Sequence, residues 1–303
     1  MNMIKPNRLL ATILLGGALA LPAPAVLAAG QQSFATPEAA MEAFGNAVID
    51  SHEAALRAML GANFRQLIPP RGDETRYRFV EAWAKAHKID PDGDARAWIA
   101  AGQKGWTLPI PLAKTASGWR FDMKAGMNEI VIREIGRNEL SAIQVAQAYA
   151  DAQREYIAKD RNGDGVPEYA QKIASSAGKM DGLYWPSRAD EEPSPLGRLL
   201  ADAAAEKGRK PGSYHGYSYR ILTGQGPDAP GGARSYIADG RMTGGFGLVA
   251  WPTSYGKSGI MSFMINQDGQ VYEKNLGRDT ATQAARVKTF NPDATWRKVA
   301  DNE

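Results

Sequence analysis

The sequence predicts an α+β protein with two domains, and three observations carry that prediction. Its 303 residues are enough for two hydrophobic cores. In the first half, runs with helical spacing precede short strand-like runs. In the second half, one long helical run leads into a loop rich in Asp, Asn and Gly, and strand-like runs follow it.

Residues 1–28 have the pattern of a secretory signal peptide. Lys5 and Arg8 form a basic region, an apolar run follows, and the cut is expected after Ala28, with Ala29 as the next choice. A membrane anchor is the alternative, but the apolar run is short and contains Gly and Pro. We therefore expect a periplasmic or secreted protein, with no stable membrane anchor after signal cleavage.

The composition excludes several classes of function. The chain has no cysteine, which excludes a lipid-anchoring cysteine, disulfides, thiolate catalysis and thiolate metal sites. The formal charge is +3, and loss of Lys5 and Arg8 with the signal would leave +1. Such a small charge gives no reason to expect nucleic acid as a partner.

The first domain is predicted over residues 30–138. Thr36 is the expected N-cap of its first helix, because Pro37 and Glu38 follow and apolar residues then recur at helical spacing. The other elements predicted here are helices at Ser51 to Leu60 and Tyr77 to Ala86, and strands at Ala97 to Ala101, Trp106 to Ile110 and Trp119 to Met123.

The second domain is predicted over residues 139–303, after a linker at Glu129 to Glu139. A long helix is expected to begin at Leu140 and to deliver the chain to Asp160. The other predicted elements are helices at Tyr169 to Ala174 and Arg198 to Glu206, and strands at Tyr214 to Thr223, Gly245 to Pro252, Gly259 to Asn266 and Gln270 to Leu276.

The loop that begins at Asp160 has the spacing of a calcium-binding loop. Asp160, Asn162 and Asp164 stand at positions one, three and five, and Gly165 supplies the sharp turn at position six. The carbonyl of Val166 would serve at position seven, and Glu168 would serve at position nine, directly or through water.

Gln171 stands at position twelve, where an EF-hand has a bidentate glutamate. We therefore predict a weakly held, structural Ca²⁺ ion on Asp160, Asn162, Asp164, Val166 and Glu168. The alternative is a turn without metal, in which the Asp and Asn side chains cap their own backbone.

Two segments of the first half resemble the cone-shaped folds related to nuclear transport factors. The segments are Thr36-Pro37-Glu38, before an alanine-rich helix, and Gly118-Trp119-Arg120-Phe121-Asp122 on a strand. The resemblance implies a cone-like, nuclear-transport-factor-like first domain. In that superfamily the cone can hold a ligand or a catalytic Asp and His, but His52 and His87 match only by residue type, and no site is carried over.

The second half resembles the bacterial exported proteins of domain-of-unknown-function family 2950. The resemblance rests on the order of four segments: Asp160-x-Asn162-x-Asp164-Gly165-x-x-Glu168-Tyr169-Ala170, Asp181-Gly182-Leu183-Tyr184-Trp185-Pro186, Pro193-Ser194-Pro195-Leu196-Gly197, and Gly245-Phe246 through Gln267-Asp268-Gly269-Gln270-Val271-Tyr272-Glu273-Lys274. That family implies no activity. The helix, loop and strands also resemble the periplasmic part of pilins and pseudopilins, although the apolar N-terminal stem of true pilins is missing.

The functional prediction is a non-enzymatic envelope protein that binds another protein or a cell-wall polymer. The alternative is a hydrolase that acts on envelope material and uses His215 with a nearby carboxylate, such as Asp181 or Asp239. The sequence contains no Gly-x-Ser-x-Gly, His-Glu-x-x-His or phosphate-loop motif to support catalysis. Aromatic residues between Tyr184 and Tyr255 are interpreted as core rather than as a groove.

Overall fold

A computed structural model describes residues 31–188, 190–197 and 213–300 of the chain. These ranges contain five α-helices: α1 (Pro37–Ile49), α2 (Glu53–Leu60), α3 (Glu74–Lys85), α4 (Met123–Ile157) and α5 (Thr280–Arg286). None of these helices is both long enough and apolar enough to span a membrane. The predicted signal peptide and the predicted helix at Arg198 to Glu206 lie outside the described residues.

The strands form two larger antiparallel sheets and two short pairs within the described ranges. They are β1 (His87–Asp92), β2 (Arg96–Ala101), β3 (Trp106–Thr107), β4 (Leu112–Thr115), β5 (Gly118–Phe121), β6 (Ser213–Tyr214), β7 (Tyr217–Leu222), β8 (Gly224–Gln225), β9 (Arg234–Ser235), β10 (Ile237–Ala238), β11 (Arg241–Met242), β12 (Gly247–Pro252), β13 (Met261–Asn266), β14 (Tyr272–Asn275) and β15 (Arg297–Lys298). The α+β class predicted from the sequence is confirmed.

The first compact unit contains the described residues 31–108 together with Leu112–Phe121. Its sheet has the order β1-β2-β4-β5, with β3 paired to β2, and helices α1 to α3 belong to the same unit. The ring of Phe44 lies 5.8 Å from that of Phe79 and 5.4 Å from that of Phe121. Phe44 and Phe121 are fully buried, so these rings form the centre of this core.

Helix α1 begins where the sequence predicts. The hydroxyl of Thr36 accepts a hydrogen bond from the backbone N–H of Ala39 at 3.1 Å, and Pro37 is the first helical residue. The predicted N-cap is therefore confirmed.

The second unit contains Pro109–Pro111 and the described residues from Asp122 to residue 300. It opens with α4, a helix of 35 residues whose N-cap is Asp122; the carboxylate accepts the N–H of Ala125 at 2.9 Å. The predicted linker at Glu129 to Glu139 is wrong, because this segment lies inside α4. Gly136 lies within the helix, and the two compact units divide after Phe121.

The C-terminal half of α4 packs on the larger sheet, whose order is β15-β14-β13-β12-β7-β6. Small residues of the helix, Ala142, Ala146 and Ala150, let it approach β12 and β13 closely. The buried hydroxyl of Tyr149 donates to the carbonyl of Gly247 on β12 at 3.2 Å. A long helix on an antiparallel sheet is thus present in this unit.

Two predictions for the second half need correction. Tyr169 to Ala174 is not a helix; Tyr169 forms a bridge with Met242 and Ala174 forms one with Tyr184, because this segment pairs with other chain segments instead of with itself. The predicted strand at Tyr214 to Thr223 is a hairpin. Its turn is His215-Gly216, and both residues have positive φ (47° and 71°), as a tight two-residue turn requires.

Gly45 on α1 provides a test of the first core. A Cβ at Gly45 would overlap the ring of Trp83, which is 5% exposed and stacks on His87 at 4.2 Å. We expect Gly45→Ala to lower stability by about 1–2 kcal/mol, because overpacking outweighs the gain in helix propensity. On α4, Gly136→Ala meets open space and should stabilise by roughly 0.5–1 kcal/mol. Denaturant unfolding measures both changes; higher stability of Gly45→Ala would contradict the packing.

Candidate functional site

The candidate site begins where α4 ends. The helix stops at Ile157, and residues 160–168 form a loop that returns towards the same helix. Gln153, which is fully buried, fixes the place at which the chain comes back to the helix. Its amide oxygen accepts the N–H of Ala170 at 2.9 Å and its amide nitrogen donates to the carbonyl of Ala170 at 2.8 Å. One helical side chain therefore closes the loop at its base.

Asp160 organises the inside of the loop. Its carboxylate accepts the backbone N–H groups of Asn162 at 3.2 Å, Gly163 at 2.8 Å and Gly165 at 2.7 Å. These bonds, above all the one from Gly165, lower the pKa of the Asp160 carboxyl. Gly163 and Gly165 have φ values of 74° and 82°, which allow the chain to wrap around the carboxylate.

The other four predicted ligand residues extend the same network. The side-chain oxygen of Asn162 accepts the N–H of Asp164 at 3.2 Å, and its amide nitrogen donates to Glu168 Oε1 at 3.1 Å. Asp164 Oδ1 accepts the N–H of Val166 at 2.9 Å. Asp160, Asn162 and Asp164 therefore cap the backbone of their own loop.

A hairpin made of β10 and β11 holds the outer side of the loop. Arg241 forms an ion pair with Asp164 Oδ2 at 2.6 Å. Gln171, which stands at position twelve of the predicted calcium loop, donates to the carbonyl of Gly240 at 2.8 Å. Tyr169 donates its N–H to the carbonyl of Met242 at 2.8 Å. Arg241 thus places a cation of the protein itself on one of the predicted calcium ligands.

Arg161 fixes the other side of the loop. Its side chain is only 7% exposed and lies over the rings of Tyr156, at 4.6 Å, and Trp185, at 5.6 Å. Its guanidinium donates to the carbonyl of Tyr156 and to the carboxylate of Glu192. Lys159 shares that carboxylate at 2.8 Å. The segment around Glu192 is therefore tied to the end of α4.

A cavity of about 630 Å³ lies between this loop and the turn at residues 178–181. Its walls are Tyr156, Lys159, Asp160, Arg161, Asn162, Val166, Glu168, Gly178, Lys179, Met180 and Asp181. Val166 and Met180 are 38% and 42% exposed, so both add accessible apolar surface to these walls. The cavity therefore offers both apolar and charged contacts.

Asp181 gives the opposite wall its shape. The carboxylate forms an ion pair with Lys172 at 2.8 Å and accepts the backbone N–H of Ser176 at 2.7 Å. The Lys172 ammonium and the Ser176 N–H hold the pKa of Asp181 well below its usual range. This carboxyl stays ionised at neutral pH and keeps the turn in place.

The predicted calcium ligands therefore lie in one loop, and each of them contacts another group of the chain through a hydrogen bond or an ion pair. A Ca²⁺ ion at these oxygens would compete with Arg241 for Asp164 and with the N–H of Asp164 for the side-chain oxygen of Asn162. In residues 31–188, 190–197 and 213–300, no group of three or more His, Cys, Asp or Glu side chains is arranged to hold a metal ion. Sequence reasoning did not identify Arg241, which lies far from the loop in the chain.

The histidines of the sequence lie in three different settings. His215 occupies the turn of the β6–β7 hairpin, and its ring lies 3.9 Å from that of Tyr214. Asp239, proposed as its partner, lies in the turn of the β10–β11 hairpin, while Asp181 holds Lys172. His87 stacks on Trp83, and His52 precedes α2.

Comparison with protein families gives a match over most of the chain. The family model described as protein of unknown function, DUF2950, matches residues 31–299. Neither the curated proteins nor the solved structures contain a significant match to the chain. The resemblance to pilins and pseudopilins therefore stays a prediction.

Replacing Gln153 tests whether this side chain holds the loop. In Gln153→Leu, the N–H and carbonyl of Ala170 would be buried without partners, which costs about 2–4 kcal/mol for the two groups. Gln147→Leu on the same helix is the matched control, because Gln147 is exposed. Thermal or denaturant unfolding measures the difference. Equal stability of the two variants would contradict the structural role of Gln153.

Proposed function

Because the chain belongs to the DUF2950 family, whose description leaves the activity open, we propose a function from the geometry of the loop and its cavity. The protein is an exported, non-enzymatic binding protein of the cell envelope. Its ligand is a segment of another envelope protein or of a cell-wall polymer, and the ligand occupies the cavity at the end of α4. A calcium ion stabilises the loop at residues 160–168, which forms one wall of that cavity.

The cavity is the single observation that carries this proposal. Its volume of about 630 Å³ is in the range of ligand sites. Val166 and Met180 leave apolar surface exposed in its walls, and Asp160, Glu168 and Lys179 add charges of both signs. An amphipathic segment fits such walls better than a purely apolar ligand does. The predicted signal peptide, residues 1–28, supports the envelope as the compartment.

For the first unit we propose the cone-like, nuclear-transport-factor-like architecture. Three helices and an antiparallel sheet of five strands in this unit support the proposal. No functional role follows from it, because a fold does not define a site.

The alternative function, hydrolysis with His215 as a base, gains no support from the described residues. His215 lies in a hairpin turn against Tyr214, and the carboxylate of Asp181 is engaged by Lys172 and Ser176. General base catalysis needs the base within hydrogen-bond reach of the group that it deprotonates. We therefore keep the binding function as the proposal.

The use of the cavity is tested by photo-crosslinking in cells. A photoreactive residue replaces Met180, which lines the cavity and is 42% exposed. The matched control replaces Ile132, which is 61% exposed on α4 and is not among the residues that line the cavity. We expect an adduct with an envelope component from position 180 and none from position 132. Equal yields at both positions, or no adduct from position 180, would contradict the proposed site.

The calcium part is tested by thermal unfolding with Ca²⁺ and with a chelator. An ion that binds only the folded chain raises the Tm, and exported calcium modules commonly bind at roughly 10⁻⁴–10⁻³ M. We expect a higher Tm in millimolar Ca²⁺, no shift in Asp164→Ala, and a larger shift in Arg241→Gln, since this variant removes the cation that occupies Asp164.

Arg154→Gln is the control for the loss of an arginine, because its exposed pair with Asp151 lies outside the loop. Its calcium shift should equal that of the unmodified protein. If neither the unmodified protein nor Arg241→Gln shifts at millimolar Ca²⁺, the metal proposal is wrong, whereas the crosslinking result would still stand.

A further inference from the structure

The loop contains an Asn-Gly pair, Asn162-Gly163, and the sequence has no other. In such a pair, the backbone nitrogen of the glycine can attack Cγ of the asparagine, since glycine has no side chain to hinder the approach. A bond forms between this nitrogen and Cγ, the bond from Cγ to Nδ2 breaks, and the side-chain nitrogen leaves as ammonia with the amide proton. Water then opens the cyclic imide and gives aspartate or isoaspartate.

The folded loop engages every group that this reaction needs. The N–H of Gly163, the nucleophile, donates to Asp160 Oδ1 at 2.8 Å. A carboxylate in this position stabilises the N–H. It disfavours the amide anion that attacks, because the carboxylate and the deprotonated nitrogen would both carry negative charge. The reacting nitrogen is therefore held in its least reactive form.

The side chain that would be attacked is held at both ends. Asn162 Oδ1 accepts the N–H of Asp164 at 3.2 Å, and Nδ2, the leaving group, donates to Glu168 Oε1 at 3.1 Å. Rotation of Cγ towards the nitrogen of Gly163 must break one or both bonds. Attack therefore requires the loop to open first.

We propose that Asn162 is a deamidation site that the folded loop holds back, and that its conversion opens the loop irreversibly. The reaction replaces an amide donor that faces Glu168 with a carboxylate. A hydrogen bond becomes a repulsion between like charges, with the carboxylates of Asp160 and Asp164 close by in the same loop. Isoaspartate would in addition lengthen the backbone within the turn.

Asn162 also lines the cavity at the end of α4. An opened loop would therefore change one wall of that cavity, which makes deamidation a one-way change in the shape of the site. The chemistry of Asn162 itself does not depend on the proposed ligand or on Ca²⁺. All tests below use a chelator, so that no metal ion offsets the added charge.

The rate of deamidation tests the first half of the proposal. The chain that begins after the predicted signal peptide is incubated at mildly alkaline pH. Peptide mapping by mass spectrometry follows the deamidation of Asn162. We expect the folded protein to react at least about tenfold more slowly than the same chain in urea, since only the opened loop reacts. Asp160→Asn should bring the rate in the folded protein towards the unfolded value.

Asp293→Asn is the matched control, because Asp293 accepts the N–H of Thr295 at 2.8 Å in a turn outside the loop. The rate at Asn162 should not change in this variant. Equal rates for the folded and the unfolded chain, or no acceleration in Asp160→Asn, would overturn the protection by Asp160.

Amide hydrogen exchange of Asn162→Asp tests the second half. The amides of Gly163 and Gly165, which donate to Asp160, should exchange severalfold faster in this variant than in the unmodified protein. Asn275→Asp makes the same chemical change at the end of β14, where Asn275 accepts the N–H of Gly277 at 2.8 Å. It should leave exchange in the loop unchanged. Unchanged protection in Asn162→Asp would overturn the proposal that the modification opens the loop.

Discussion

The arrangement of the second unit depends on the side chain of Gln153. This buried amide satisfies both backbone groups of Ala170, and its nitrogen also lies 3.0 Å from the hydroxyl of Tyr149. Tyr149 in turn donates to Gly247 on the sheet. Burial strengthens each of these bonds and also raises the cost of losing one. One connected set of polar groups therefore joins the long helix, the base of the loop and strand β12.

Charges of the chain organise the rest of the loop. Asp160 draws three amides inwards, while Arg241 and Arg161 hold the outer side and the neighbouring segment. The loop thus has a hydrogen-bonded form that uses only groups of the chain. An ion that binds there must compete with Arg241 for Asp164, so its net affinity reflects the exchange of one cation for another. This competition adds to the missing glutamate at position twelve as a reason to expect weak binding.

Local signals in the sequence predicted the fold class, the first helix and the four longest strands of the second half, β7, β12, β13 and β14, but not the two-residue strands β8 to β11 and β15. Thr36-Pro37-Glu38 identified the start of α1, because capping depends on residues that are adjacent in the chain. The start of α4 was missed by many residues. Polar and apolar residues mix between Glu129 and Glu139, and this part of the helix contains Gly136, so the pattern there resembled a linker.

The loop was found from its spacing, whereas the partners that hold it were not. Arg241 and Glu192 reach the loop through tertiary contacts, which no periodicity in one sequence reveals. Gln153 was visible as a polar residue on an otherwise apolar helical face. Such a residue in the core indicates a buried backbone partner, but it does not identify Ala170 as that partner.

The walls of the cavity come from three chain segments, and each segment is stabilised by its own contacts. The last turn of α4, the loop and the turn at residues 178–181 are each held by different bonds, including those of Arg161 and Asp181. An isolated peptide that spans only the loop would lack two of these three walls. For the proposed binding function, recognition would therefore require the assembled second unit, and short linear fragments of the chain would compete poorly with the intact protein.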